Sequence, residues 1–315
     1  MNIIEDKIDY FRVPAGALRR TYFVSIRTRY SYRNGYPTFH FVNVGGCVEI
    51  SVAVRPPVEF YGDRINGSID YDVAKITHIG FNPLCSVEEN LPCGVGTMHM
   101  ARVAMTIVRD NYDWITRFSL VDNSEVHCKE PNRFVSLSDI SIATNAQTYY
   151  AKYFHARLAN ESLRNDYDRS MLKMSSEGDK LPLAAFLTRY DIPSSIEAVI
   201  TAPYAASKTY VEFFRALRSA DPQAFCVTTS TPTSWLSAFV DDVLSNDVRK
   251  NIWMQQWIID AASVKSIVLD DIVDEWPLTD AVDVETARDS LAQSPFQRSK
   301  DHSGGTTSSF SMDDL

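Results

Sequence analysis

The chain has 315 residues, 45% hydrophobic and 23% charged, and carries a formal net charge of -9 at neutral pH. That length and apolar content can bury a sizeable core, so one large globular domain, or one domain with an addition, is expected rather than a disordered or fibrous polymer. The acidic balance opposes general attraction to phosphate, no apolar run approaches a membrane span, and the opening MNIIEDKIDYFRV is neither a secretory leader nor a transit peptide. A soluble, intracellular (cytoplasmic) protein is expected, with neither nucleic acid nor membrane as a partner.

From about Tyr10 to Asn82 the pattern is mostly strand. TYFVSIRTRY, TFHFVNV, CVEISVAV and KITHIGFNP are rich in β-branched and aromatic residues, and RNGYP, VGG and RPP supply turn signals between them. RRTYFVSIRTRYSYR interleaves Arg19, Arg20, Arg27, Arg29 and Arg33 with Tyr22, Phe23, Tyr30 and Tyr32, a mixture that base-stacking surfaces use. The alternation in FVSIRTRY fits a half-buried strand with arginines on its wet face.

LPCGVGTMHMARVAMTIVRD follows, Leu91 to Asp110. Gly94 and Gly96 permit a tight turn and close approach to the main chain, and Met98, Ala101, Met105 and Val108 recur at helical spacing. Cys93, Gly94, Val95, Gly96 and Thr97 therefore form a loop leading into a helix whose first turn offers unpaired N–H groups to an anion. An ordinary glycine turn is the alternative. The helix runs to Tyr112 and WITRFSLVDN follows as a strand, so the order strand, glycine loop, helix, strand predicts a crossover with the loop at a strand's carboxyl end.

Beyond Asn123, SLSDISIATNAQTYYAKYF suits a helix late in the stretch and FHARLA a short strand; Asn145, Ala146, Tyr150, Tyr153 and Phe154 mark an apolar stripe. From about Glu161 to Ala262 the chain reads as helices, among them ESLRNDYDRSMLKM, PLAAFLTRY, AASKTYVEFFRALRSA and SWLSAFVDDVLSNDVRKNIWMQQWIIDA. Val211, Phe214, Ala216 and Leu217 share one face, as do Trp235, Phe239 and Leu244. SVKSIVLDDI reads as a last strand, an acidic segment follows, and disorder is expected from about Gln293. The helical faces and the tail, with Phe310 and Met312, are the candidate surfaces for a protein partner.

The five cysteines, Cys47, Cys85, Cys93, Cys128 and Cys226, are odd in number and spread out, which predicts buried thiols in a reducing compartment rather than a disulfide framework. His78, Cys85, Cys93 and His99 match no common zinc spacing, so no metal is expected.

Taken together, the glycine loop with its helix and the NAQTYYAKYF segment resemble the GNAT family, the acyl-CoA-dependent N-acetyltransferases, over about residues 21–160. Within that family the chain is most similar to divergent members carried by large DNA viruses of protists. The resemblance implies an α/β (α+β) fold with a mixed central sheet of GNAT type, organised as a core over residues 1–160, a helical insertion or subdomain over 161–262, a last strand and acidic segment over 263–292, and a disordered tail over 293–315. It also implies a function, the transfer of an acetyl or other acyl group from acetyl-CoA or another acyl-CoA to an amine acceptor. The cofactor would be held by Cys93, Gly94, Val95, Gly96, Thr97 and Asn145, and Tyr150 matches the family tyrosine that protonates the leaving thiolate. Tyr149 points about 100° away around the helix.

The chain also departs from the family pattern. The family's Arg or Gln of the loop is Leu91, and the glycine usual after the tyrosine helix is replaced by Phe154 or His155. No base is marked. Glu88, Glu89 and Asp122 lie near the ends of the two central strands, and solvated carboxylates are the plain alternative for each. A catalytically inactive binding or structural protein, in a viral particle or replication complex, is the second function class.

Overall fold

A computed structural model describes residues 2–13, 22–33, 36–44, 48–54, 70–79, 95–122, 124–128, 134–228, 234–244, 256–265, 270–272 and 309–311. The protein is mixed α/β and divides into two compact units, Met1–Ile115 with Lys265–Gly305, and Thr116–Val264 with Thr306–Leu315. The boundary expected at residue 160 therefore falls inside the second unit.

In the first unit the β-branched and aromatic runs become β1 (Asn2–Val13), β2 (Tyr22–Arg33), β3 (Tyr36–Val44), β4 (Val48–Ala53) and β5 (Val73–Ile79), each antiparallel to the next. β1 is a twelve-residue strand where the sequence predicts none. Its outer edge pairs with β11 (Asp270–Ile272), through Phe11 with Ile272 and Arg12 with Asp270. The segment read as the last strand thus ends beside β1.

Alternation places Val42, Val44, Val48, Ile50 and Val52 in the core. β5 breaks the period: Ala74 and Ile76 are buried, and so is Ile79, which lies on the opposite parity. The register explains the break. Ile50 faces Ile76 and Glu49 faces His78, so Thr77 is the extra residue of a β-bulge. Its Oγ1 donates to the Glu49 carbonyl at 3.2 Å and to Glu49 Oε1 at 3.0 Å. α1 (Val95–Asn111) follows and packs on β3, β4 and β5. The expected stripe of Met98, Ala101, Met105 and Val108 is buried, and so are Met100, Val103 and Ala104.

The second unit contains β6 (Arg117–Val121), β7 (Glu125–His127), β8 (Phe134–Ser136), α2 (Leu137–Asn145), α3 (Tyr149–Phe154) and β9 (Arg157–Leu158). α4 (Glu161–Met174), α5 (Leu183–Arg189), α6 (Ser194–Ala206), α7 (Tyr210–Ala220) and α8 (Trp235–Val243) follow, then β10 (Gln256–Asp260). β10 lies between β6 and β9 and is antiparallel to both. This corrects the helical reading of QWIID: Trp257, Ile258 and Ile259 are all buried, and a continuous apolar run of that kind suits a covered strand as well as a helix. α6 is a second difference. Pro203 near its end hides it from a reading by propensity.

The helix expected late in SLSDISIATNAQTYYAKYF is two helices. Ala146 takes the left-handed conformation, φ 51°, and its N–H caps α2 at the Ile142 carbonyl; Thr148 Oγ1 then accepts from Ala151 N to open α3. Three ties join this region to the later helices. Arg215 of α7 donates to the Thr144 carbonyl at 2.7 Å, Ser237 of α8 donates to Asp139 Oδ2 at 2.8 Å, and Cys128 is disulfide-bonded to Cys226. The disulfide corrects the expectation of free thiols for these two cysteines, since spacing along the chain carries no trace of a pairing across 98 residues; Cys47, Cys85 and Cys93 lie outside the described residues. In the tail, Ser309–Ser311 form β12, parallel to β7, with β8 on the other side of β7; the rest of the expected disordered segment lies outside the described residues.

An aromatic cluster centred on the buried Phe186 holds α5 to α8 together, with Tyr190, Tyr204, Tyr210, Phe213, Trp235 and Phe239 all within ring contact of it. Trp235 Nε1 donates to the Ala224 carbonyl at 2.8 Å, so the indole is buried with its polar group satisfied. An L-residue with a Cβ is strained at φ 51°, whereas glycine is not. Ala146→Gly should raise the unfolding free energy by about 1 kcal/mol, read as a higher denaturant midpoint with unchanged slope.

Candidate functional site

Of the residues expected to bind an acyl-CoA, Cys93 and Gly94 lie outside the described residues, as do Leu91 and the candidate bases Glu88 and Glu89. Val95, Gly96 and Thr97 form the first turn of α1, which carries no acidic residue. A helix of 17 residues begun this way presents the positive end of its dipole and its unpaired N–H groups with no carboxylate of its own to compete.

Asn145, Tyr150 and Asp122 are in the second unit. Asn145 closes α2, where its Oδ1 accepts from Lys152 Nζ at 3.1 Å and its Nδ2 donates to Thr144 Oγ1 at 2.9 Å. Asn145 and Tyr150 thus flank one turn, the left-handed turn at Ala146. Tyr150 is only 2% exposed, its ring stacked on Phe154 at 6.4 Å and set edge-on to Tyr149 at 5.9 Å. Tyr149 is half-buried and lies beside Tyr153, with ring centroids 4.7 Å apart. Burial pushes its phenol above the ordinary value and Tyr153 adds to the rise, while Arg218 of α7 pulls the other way. Arg218 is itself lowered by burial and raised by the two tyrosines. No sequence signal marks Arg218, since only folding brings α7 to α3.

Asp122 is the clearest difference between the sequence reading and the structure. In place of a solvated carboxylate, the side chain is buried. Its Oδ1 accepts from Ser124 Oγ at 2.5 Å and Ser124 N at 3.2 Å, and its Oδ2 accepts from Ser138 Oγ. The bond to Ser124 N makes an Asx-type turn after β6 and the bond to Ser138 ties that turn to the start of α2. Burial raises the carboxyl above its usual range, the nearby Asp139 charge adds to this, and the serine hydrogen bonds oppose it. Asp122 is therefore a structural carboxylate with no opening to a reactant.

Among the described residues the histidines do not form a ligand set. His40 Nδ1 lies 3.0 Å from the Tyr112 hydroxyl, and His78 is lowered by burial while Glu49 opposes the shift. Cys85 and Cys93 lie outside the described residues, and among the described residues no group of His, Cys, Asp and Glu could hold a metal. Nor is any described helix long and apolar enough to cross a membrane. A feature that the sequence does not announce is a cavity of about 550 Å³ bounded by α4, β9, Trp257 of β10 and the turn at Ala146.

No family model, curated protein or solved structure matches the chain.

Because Asp122 has a folded pKa raised above its unfolded value, the stability tied to its protonated form is present below the usual carboxylate range and is lost as pH rises through the folded pKa. Asp122→Asn keeps an acceptor for Ser124 and a donor for Ser138 without charge. It should be less sensitive to pH than the wild type in denaturant titrations from pH 4 to 8, with its relative stability growing toward neutrality. Asp122→Ala should lose about 1 to 3 kcal/mol at every pH, because the donors at Ser124 and Ser138 lose their acceptor.

Proposed function

We propose that the chain is an acyl-CoA-dependent N-acyltransferase with a GNAT-type arrangement, taking acetyl-CoA or another acyl-CoA and an amine acceptor as substrates. The observation that carries the reading is the bulge at Thr77 in β5, the strand that precedes α1 and its uncharged first turn along the chain. A bulged strand bends, and bulges concentrate beside binding sites. The insertion of β10 between β6 and β9 gives the second unit a strand order in which a later strand enters between two earlier ones. His155, in the left-handed conformation at φ 55°, answers to the glycine of the family pattern, since that conformation favours glycine.

In this reading the N–H groups of Val95, Gly96 and Thr97 hold the pyrophosphate of the substrate. The amine nitrogen attacks the thioester carbonyl carbon, the carbon–sulfur bond breaks with its electron pair going to sulfur, and the proton lost by the amine ends on the departing sulfur; Tyr150 is the residue that the family resemblance names for that transfer. Orientation of the two substrates supplies several kcal/mol, about 7 to 11 at the upper limit. A second reading, a binding protein of the same architecture, is favoured by the burial of both Asp122 and Tyr150, which leaves neither one open to an incoming amine.

CoA at a hundred times its dissociation constant should stabilise the protein by about 2.7 kcal/mol, seen as a rise in melting temperature. Gly96→Val should abolish that rise by crowding the first turn. Thr97→Glu serves as its control: a carboxylate at the helix N-terminus favours folding, by about 0.3 to 1 kcal/mol, yet repels phosphate and should weaken CoA binding tenfold or more. Unchanged CoA affinity in both variants would remove the pyrophosphate role from α1.

Tyr150→Phe separates the two readings. Transfer chemistry predicts near-native melting and a rate lowered at least tenfold, whereas packing alone predicts a loss of about 0.5 to 1.5 kcal/mol in stability and no change in turnover.

A further inference from the structure

None of the residues assigned to the acyl-transfer reading lines the cavity of about 550 Å³ in the second unit. It lies in the size range of small-ligand sites, roughly 300 to 1,000 Å³. Its floor is apolar and aromatic. Trp257 and Tyr167 meet edge to face, with centroids 5.7 Å apart and planes at 82°, and Met171 and Leu158 complete the lining; all four are buried. A flat ring laid against this floor meets aromatic edges, and a thioether adapts to its outline. At the rim, Leu172 is 71% exposed, the most exposed large apolar side chain among the described residues. Leu172 extends the apolar lining to the rim.

The charge of the lining selects among ligands. Arg164 donates through Nε and Nη2 to the Leu158 carbonyl, at 3.2 and 2.9 Å, which fixes the guanidinium plane against the wall and leaves Nη1 uncommitted. Arg157 lies on the same lining and is exposed. Neither arginine is ion-paired with an acid among the described residues. Asp168 is the single acid of the lining, so the cavity carries a positive excess. A guanidinium fixed in this way suits a planar carboxylate better than a point charge, because its N–H groups are already oriented.

From this lining we infer that the cavity binds a small aromatic carboxylate, its ring against Trp257, Tyr167 and Met171 and its charge toward Arg157 and Arg164. This site uses none of the residues on which the acyltransferase reading rests.

The test uses the full chain and 2-naphthoate, titrated by calorimetry beside its neutral amide, 2-naphthamide. The acid should bind and the amide should bind at least tenfold more weakly. Arg157→Glu and Leu172→Asp alter exposed side chains and should each weaken 2-naphthoate binding tenfold or more, with melting temperature and the response to CoA unchanged. Absence of 2-naphthoate binding at millimolar concentration, equal affinity for acid and amide, tighter binding of 2-naphthylmethylammonium, or full affinity in both variants would each overturn the proposal.

Discussion

The second unit depends on a helix with almost nowhere to expose a polar group. Every residue of α2 from Leu137 to Thr144 is buried, although the helix reads LSDISIATN and five of those nine side chains are polar. A buried polar group without a partner costs about 1 to 3 kcal/mol, so α2 can lie there only if its surroundings supply partners. They do so from several directions. Ser136 caps its first turn, Ser138 reaches Asp122, Asp139 accepts from Ser237 of α8, and the carbonyl of Thr144 accepts from Arg215 of α7. Ser141 Oγ is buried with no hydrogen-bond partner, so the satisfaction is not complete.

This constraint explains why residues 161–243 are not a detachable decoration. The helices α7 and α8 supply donors that α2 needs and pack against it, while their side chains Phe213, Trp235 and Phe239 meet Phe186 of α5. The disulfide between Cys128 and Cys226 joins the segment after β7 to the short helix between α7 and α8, Pro222–Cys226. Hydrogen bonds, apolar contact and a covalent link thus connect the same two stretches of chain. The same demand redirects Asp122. A carboxylate at the end of a strand can serve as a base only where a reactant reaches it, and here both oxygens are turned inward to hold the β6–β7 turn against α2.

Much of the architecture is legible in the chain because it depends on local pattern. Period-two alternation marks β3 and β4, spacings of three and four mark α1 and α7, and the glycine pair before Thr97 marks where a helix begins. The first turn of α1 and the strand that leads toward it follow from residues near one another in sequence. The bulge at Thr77 does not, because an inserted residue is defined only by what faces it across the sheet, here Glu49 and Ile50. β10 escapes for a related reason: WIID is apolar throughout, and only its place between β6 and β9 makes it a strand.

The amino-acid sequence by itself determined the helical and extended segments wherever periodicity was strong, the acidic character of the chain, and the order of β2 to β5 and α1 in the first unit. Folding alone decided the rest: which carboxylate is buried, which cysteines meet, that Ala146 breaks one helix into two, and that Arg157, Arg164, Tyr167 and Trp257 line one cavity. The physical reason is range. Backbone preference and amphipathic period act over a few residues, whereas burial, pairing and electrostatic environment are set by groups about a hundred residues apart, as Asp139 with Ser237 and Cys128 with Cys226 are.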